Sequence, residues 1–167
     1  MKKSILIIAP HPDDETLGCG GTILKSVDNG HDAYWAIVTC ITTKAGFSAE
    51  RVQSREAEIN KIAALYRFKD TFSLGFPTAQ LEDTQRGALI SKLAKIIDKV
   101  NATDIYLPFF GDVHSDHAVV YEASISASKS FRHKSVRRLL CYETLSETNF
   151  NPAPTGGGYF RQTFMKT

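Results

Sequence analysis

Side chains able to bind a metal ion or move a proton gather in two short stretches of this 167-residue chain. The first is His11-Pro12-Asp13-Asp14-Glu15, and the second is Asp112-Val113-His114-Ser115-Asp116-His117. Two imidazoles and one carboxylate suit a borderline ion such as zinc, and three protein ligands leave a fourth position for water. A bound metal lowers the pKa of that water to about 7 and makes it a nucleophile, while a carboxylate beside the metal takes its proton.

The spacing of the residues within each stretch indicates which side chains could bind the metal and which could transfer a proton. Successive side chains of an extended segment point apart, so Asp13 and Asp14 are expected to supply one ligand and one base. His114 and His117 lie three residues apart and share one face at the start of a helix. One of them can bind metal while the other donates a hydrogen bond to a developing oxyanion. His114 could also protonate a leaving amine if its pKa stays near neutrality.

Alternating strand and helix patterns surround these stretches. Apolar, β-branched runs predict strands at 5–9, 33–39, 69–74, 104–107 and 138–142. Helical spacing of apolar residues predicts helices at 16–27, 49–66, 82–100 and 115–128, the last one capped by Ser115. Gly75-Phe76-Pro77 is expected to break the chain after the third strand. The pattern predicts an α/β, Rossmann-like three-layer sandwich with a mostly parallel sheet of about five strands and helices on both faces.

Right-handed crossovers place the strands of such a sheet in the order 3-2-1-4-5, which makes the first and fourth strands neighbours. Ligands of these sheets bind in the crevice at the carboxyl ends of those two strands. The two polar stretches follow the same two strands. The prediction of the strand order does not use the composition of these stretches, so the agreement is independent. We therefore expect both stretches to close around one ion.

Composition limits the class of protein. The chain is 43% hydrophobic and 23% charged, as in ordinary globular domains, and its net charge of +2 does not indicate a nucleic-acid partner. Three widely spaced cysteines without a CxxC pair are interpreted as reduced, mostly buried thiols. The apolar run at the start stops at Pro10, and no stretch reaches the ~20 apolar residues of a transmembrane segment. These features predict a soluble cytoplasmic protein.

The segment Ala9-Pro10-His11-Pro12-Asp13-Asp14-Glu15 with Leu17-Gly18, together with His114-Ser115-Asp116-His117, closely resembles the PIG-L/LmbE-like zinc-dependent de-N-acetylases. The resemblance runs from Ile5 to about Asn151. It implies hydrolysis of the acetamide of an N-acetylglucosamine unit, which releases acetate. The partner would be a small N-acetylated amino sugar or a glycoconjugate.

The resemblance also assigns roles to residues. It implies one Zn²⁺ per chain, held by His11, Asp14 and His117. Asp13 would act as general base, and His114 would stabilise the tetrahedral intermediate or act as acid. Asp116 would orient a histidine by a hydrogen bond. Arg55 matches a family arginine that faces the substrate, although an exposed helix charge paired with Glu58 or Glu56 is the alternative.

Some features depart from the family pattern. Asp112 stands where some relatives have a tyrosine, and we interpret it as the start of a turn. The chain also ends sooner than is usual, which predicts a shortened deacetylase domain over 1–151 and a loose Gly-rich tail over 152–167. Apolar surface left uncovered could be buried in a homo-oligomer. A metal-dependent phosphoesterase and a zinc-binding but inactive truncated member of the family remain as alternatives.

Overall fold

The computed structural model describes residues 1–151, so the tail predicted over 152–167 lies outside the described residues. The strands are β1 (Ser4–Ala9), β2 (Asp32–Cys40), β3 (Asp70–Pro77), β4 (Asp104–Pro108) and β5 (Arg138–Tyr142). The α-helices are α1 (Asp14–Asp28), α2 (Ala49–Leu65), α3 (Arg86–Val100), α4 (Ser115–Ala127) and the short α5 (Leu145–Thr148). Single 3₁₀ turns lie at Thr43–Ala45 and Leu81–Asp83.

The five strands form one sheet in the order β3-β2-β1-β4-β5, and every neighbouring pair is parallel. β1 pairs with β4 from Ile5 opposite Asp104 to Ile7 opposite Tyr106. The predicted fold class and strand order are therefore confirmed. Because β1 and β4 are adjacent and parallel, the loops that follow them leave the same edge of the sheet side by side.

Helices cover both faces of the sheet because the central strands are apolar on both sides. Leu6 and Ile8 of β1 belong to the core beneath α3 and α4. Ile5 and Ile7 point to the other face, where α1 packs against the sheet. Unlike the other long helices, α2 buries none of its side chains fully, although some of its apolar residues contact this second core.

Two glycines let α1 approach its neighbours closely. A Cβ on Gly18 would lie 2.3 Å from the Tyr142 ring, and one on Gly20 would lie 2.5 Å from the hydroxyl of Tyr66. A third glycine of this helix, Gly21, faces open space. Close packing therefore explains Gly18 and Gly20 but not Gly21.

Several details differ from the sequence prediction. β3 continues through Gly75, Phe76 and Pro77 because it is an edge strand, where a missing N–H costs little. α3 begins only at Arg86, and α5 was not predicted. The cap of α4 is His114 rather than Ser115.

The cysteines and the helices can be compared with two further predictions, those of reduced, buried thiols and of a chain without a transmembrane segment. The three cysteines are unpaired, but only Cys19 is buried and Cys141 is exposed, so the prediction of mostly buried thiols was wrong. None of the helices within residues 1–151 is both long enough and apolar enough to cross a membrane.

Candidate active site

The two polar stretches meet at the carboxyl ends of β1 and β4. His11 follows β1, and Asp116 lies in the first turn of α4, just after β4. The Nε2 atom of His11 lies 3.0 Å from Oδ2 of Asp116, a contact between residues 105 positions apart. The rings of His11 and His117 have centroids 5.4 Å apart. The structure thus brings both stretches together at the crevice that the topology predicted.

Three side chains converge here with the geometry of a metal site. Candidate ligand atoms of His11, Asp14 and His117 all lie within 4.8 Å of one another. Oδ2 of Asp14 is 3.3 Å from Nδ1 of His11 and 3.4 Å from Nε2 of His117. Two ligands about 2.1 Å from a tetrahedral zinc ion would lie about 3.4 Å apart, so the donor set fits such an ion.

The ring nitrogen of each imidazole that does not face Asp14 also has a partner typical of metal-binding histidines. Nε2 of His11 contacts Asp116 at 3.0 Å, and Nδ1 of His117 contacts Asp112 at 2.8 Å. A metal-binding histidine commonly donates its other ring N–H to a carboxylate, which fixes the tautomer and the ring orientation. Each imidazole therefore turns one nitrogen towards Asp14 and the other towards a buried carboxylate.

The carboxylates make the site electrostatically suited to a cation. Burial alone favours the neutral imidazole of His11, but hydrogen bonds to Asp116 and Asp14 outweigh it and raise the pKa to about 9. Burial likewise opposes the charge on His117, yet Asp112 and Asp14 raise its pKa to about 9. Burial would raise the pKa of Asp14, but the two histidines hold it well below its ordinary value. Positive charge, as protons or as a metal ion, is thus stabilised between these side chains.

A second trio, His11, His114 and Asp116, also has ligand atoms within 4.8 Å of one another. Asp116 is completely buried, however, and its carboxylate already has other partners. Oδ2 accepts a hydrogen bond from the Ala79 N–H at 2.7 Å, and Oδ1 accepts one from the Leu81 N–H at 3.2 Å. These contacts suit a residue that orients His11 and anchors the loop after β3.

A backbone contact of His114 determines which of its ring nitrogens carries the proton. Its Nδ1 accepts a hydrogen bond from the Asp116 N–H at 3.1 Å, so a neutral ring carries its proton on Nε2. Burial and the nearby positive charge of His11 lower the pKa of His114, which favours that neutral form. The ring centroids of His114 and His11 are 4.6 Å apart. The ring therefore stands beside the candidate ligands.

Asp13 lies at the mouth of the site and precedes the first residue of α1. Its carboxylate makes no capping hydrogen bond to the helix and is open to solvent. The crowding of this carboxylate by protein atoms raises its pKa, and so does the charge of Asp14, while His11 and Arg55 act in the opposite direction. A carboxylate with a raised pKa next to the candidate ligands can accept a proton from water.

Arg55 of α2 reaches the rim of the site. Its Nη1 donates a hydrogen bond to the carbonyl of Pro12 at 3.2 Å, and its Nε lies 3.4 Å from Glu58. The predicted pairing with Glu58 is therefore present, while the Pro12 contact also places the guanidinium beside the first polar stretch. Both interpretations of Arg55 are compatible with this position.

Asp112 is a site residue that sequence reasoning missed. The residue is buried, accepts a hydrogen bond from the Thr148 hydroxyl at 2.6 Å, and contacts His117 at 2.8 Å. The expectation that it merely begins a turn was wrong. An acid five residues before a candidate histidine ligand is a weak signal, because only the curvature of the loop brings the two side chains together.

The sheet is doubly wound and parallel, and its histidine–aspartate site lies at the topological switch point. These two features define an α/β protein that binds its ligand at the carboxyl ends of the strands. Comparison with known proteins then identifies the family. The PIG-L family, described as GlcNAc-PI de-N-acetylase, matches residues 6–128. The chain belongs to this family.

Individual relatives agree with that assignment. The chain is 30% identical over 150 residues to the uncharacterised deacetylase YaiS of Escherichia coli strain K12, covering 87% of this chain and 76% of the relative. It is 32% identical over 124 residues to the diacetylchitobiose deacetylase of Thermococcus kodakarensis, covering 69% of this chain but 45% of the relative. It is 29% identical over 136 residues to a probable N-acetyl-alpha-D-glucosaminyl L-malate deacetylase 2 of Bacillus cereus, covering 76% and 61%. The chain thus spans from about half to three quarters of these relatives.

Solved structures share the fold. A conserved protein of Thermus thermophilus, TT1542, is 26% identical and superposes with a TM-score of 0.70, covering 84% of this chain and 66% of that one. The N,N'-diacetylchitobiose deacetylase of Pyrococcus horikoshii superposes with a TM-score of 0.72 at 24% identity, covering 86% of this chain and 61% of that one.

Proposed function

We propose that this protein is a zinc-dependent deacetylase that hydrolyses the acetamide of an N-acetylglucosamine-type amino sugar and releases acetate. The observation that supports the proposal most directly is the convergence of His11, Asp14 and His117, with Asp13 and His114 beside them. The chemistry named for related proteins, a deacetylase acting on diacetylchitobiose and another on a glucosaminyl malate, agrees with it.

Zinc would be held by His11, Asp14 and His117, and when bound it supplies a Lewis acid that lowers the pKa of water to about 7. Asp13 accepts the proton of the water that attacks the acetamide carbonyl carbon. His114 donates its Nε2–H to the carbonyl oxygen as negative charge develops there. Asp13 then passes the proton it accepted to the nitrogen as the C–N bond breaks, so that the nitrogen leaves as the free amine, the acyl group leaves as acetate and Asp13 returns to its ionised form.

Acetate release from a panel of N-acetylated amino sugars tests the reaction, run with a chelator and again after zinc is restored. We expect activity that disappears with the chelator and returns with about one zinc per chain. Near-stoichiometric single loading also separates this proposal from the phosphoesterase alternative, because phosphoesterases with His/Asp clusters commonly need two metals. If no substrate of the panel releases acetate while zinc is bound, the result would instead favour the alternative of an inactive family member.

Asp13→Ala tests the assigned base. Because Asp13 is not among the proposed ligands, the variant is expected to retain zinc while kcat falls by about 10²–10⁴. Metal analysis of the same preparation checks the loading. Full activity in Asp13→Ala would remove the proton acceptor from the mechanism.

A further inference from the structure

A cavity of about 550 Å³ lies between α2 and the sheet, next to the candidate site. Its volume falls within the range of about 300–1,000 Å³ that is typical of ligand sites. Pro12, which lies between His11 and Asp13, forms part of its wall, and Arg55 bonds to the Pro12 carbonyl at the same place. The cavity therefore opens beside the proposed reaction centre.

The face of α2 that lines the cavity is unusual for a helix lying over a sheet. The lining residues follow helical spacing along one side and are Val52, Arg55, Glu56, Ile59 and Asn60. Such a face would normally be apolar and buried, yet three of these five side chains are polar, and α2 has no fully buried residue. The helix thus presents hydrogen-bonding groups to an open space instead of closing a core.

The opposite wall combines hydroxyl groups with apolar surface. β2 and β3 contribute Ile37, Thr39, Thr71 and Ser73, and Thr43 adds a hydroxyl from the loop after β2. One basic and one acidic side chain, Arg55 and Glu56, face the cavity, so their charges offset each other. Hydroxyls, an amide and aliphatic side chains without net charge suit the alternating O–H and C–H surface of a sugar ring. Arg55, the only basic side chain among the described residues of this lining, is already engaged by the Pro12 carbonyl and by Glu58, and Glu56 repels a phosphate or a carboxylate.

We propose that this cavity binds a second, uncharged sugar unit attached to the N-acetylated sugar whose acetamide is hydrolysed. This inference rests on the proposed function and narrows it: the substrate is a neutral di- or oligosaccharide rather than a sugar linked to an anionic group. Glu56 and Asn60 bind hydroxyls of the second ring, and Val52 and Ile59 pack against its C–H face.

Kinetics on three probes test the proposal: N-acetylglucosamine, N,N'-diacetylchitobiose and N-acetylglucosamine 1-phosphate. We expect the wild-type protein to have a lower KM for the disaccharide than for either of the other two. Asn60→Trp fills the cavity from its exposed side and should raise the KM for the disaccharide about tenfold or more, equivalent to about 1.4 kcal/mol of binding free energy. The kinetic constants for N-acetylglucosamine and the zinc content should not change.

Lys61→Trp is the matched control, because Lys61 is the exposed neighbour on α2 and does not line the cavity. It should behave as wild type. Glu56→Ala adds no bulk and should also raise the KM for the disaccharide selectively. Equal effects of Asn60→Trp on both sugars, no effect on the disaccharide, or a preference for the phosphorylated sugar would each overturn the proposal.

A binding measurement separates this inference from the proposed function. If no probe releases acetate, the deacetylase proposal fails, and ligand-observed NMR with the disaccharide then examines the cavity directly. Binding by wild type and Lys61→Trp that Asn60→Trp abolishes would support the cavity as a saccharide site. Absence of binding, or binding that is unchanged in Asn60→Trp, would overturn it.

Discussion

At the scale of single residues, Asp112 decides which ring nitrogen of His117 faces Asp14. Its carboxylate contacts Nδ1 of His117 and is itself fixed by the hydroxyl of Thr148. Asp112→Asn retains the shape of the side chain but removes its charge. Because such a partner orients a metal-binding histidine and raises its basicity, we expect zinc affinity to fall about 10–100-fold. Titration against a competing chelator measures the change.

Asp83→Asn provides the matched control, since Asp83 is an exposed acid in the 3₁₀ turn after β3. Its zinc affinity should equal that of wild type. Wild-type affinity in Asp112→Asn would show that the contact with His117 does not support metal binding.

His114 has an observed structural contact and a proposed catalytic role, and one substitution can separate the two. Its Nδ1 caps α4 by accepting a hydrogen bond from the Asp116 N–H, and within residues 1–151 its Nε2–H has no hydrogen-bond partner, which leaves it available for the proposed oxyanion contact. Asparagine is a good N-cap, so His114→Asn should leave the melting temperature nearly unchanged. Without the imidazole, kcat should fall by about 10²–10³. Thermal unfolding and acetate release, measured on one preparation, check both parts, and unimpaired turnover would contradict the assignment.

The candidate residues could be predicted from the sequence because each candidate metal ligand follows a strand whose neighbour in the sheet can be deduced. The supporting contacts could not. Asp112 reaches His117 only through the path of its loop, and the backbone of Ala79 reaches Asp116 from a segment 37 residues away. Neither relationship leaves a periodic signal in the chain.

At the scale of secondary structure elements, α1 lies close to β5 because Gly18 has no side chain. A methyl group there would sit 2.3 Å from the Tyr142 ring, which is buried and tied by its hydroxyl to the Ile8 carbonyl. We expect Gly18→Ala to lower the free energy of unfolding by about 1–3 kcal/mol through overpacking. Denaturant titration measures the loss.

Gly21 offers a control in the same helix, since its added Cβ meets nothing within 4 Å. Gly21→Ala should stabilise the protein, by up to about 1 kcal/mol, because alanine favours helix more than glycine does. The opposite signs of the two substitutions are the diagnostic result. Similar effects would indicate that helix propensity, not contact with Tyr142, governs this segment.

Asp104 ties β4 to β5 and gives the fold a dependence on acid pH. Burial would raise the pKa of this carboxyl, but hydrogen bonds from Arg138 and the charge of Lys3 outweigh it and lower the pKa. A lowered pKa in the folded state contributes stability above the unfolded value of about 3.9, and this stability is lost as pH falls through the folded value.

Asp104→Asn should therefore lower the free energy of unfolding by about 2 kcal/mol at pH 7, because charge-assisted hydrogen bonds are lost. The difference from wild type should shrink as pH falls below about 4. Urea titrations between pH 7 and pH 3 measure the trend, with Asp83→Asn as a surface control. A difference that stays constant across this range would contradict the ionic origin of the contact.

Most elements could be predicted because burial enforces periodicity: the strands buried on both faces are continuous apolar runs, and α3 repeats its apolar residues at helical spacing. Prediction failed where edge position or local contacts decide. β3 extends through Pro77 because its free edge does not need that N–H. α5 has four residues, too few to show a period.

At the scale of the whole molecule, the proposed zinc ligands come from the segments that follow β1 and β4, about a hundred residues apart in the chain, so bound zinc should stabilise the complete fold. At a free zinc concentration 100 times its Kd, the expected gain is about 2.7 kcal/mol. Thermal unfolding with zinc and with chelator measures it. His117→Ala should lose this difference, whereas Lys61→Trp should keep it. Stabilisation that persists in His117→Ala would place the metal elsewhere.

The Asp116 carboxylate gathers His11 together with the backbone N–H groups of Ala79 and Leu81. Ala79 adopts a positive φ of 55° at this point. These contacts therefore limit which connector from another family member could replace the one that follows β3. A foreign connector inserted after β3 must reproduce the left-handed residue and both amide donors, or it will displace His11 along with itself. Within this connector, Ala79 and Leu81 are therefore the positions where a change of backbone conformation would disturb Asp116 and, through it, His11.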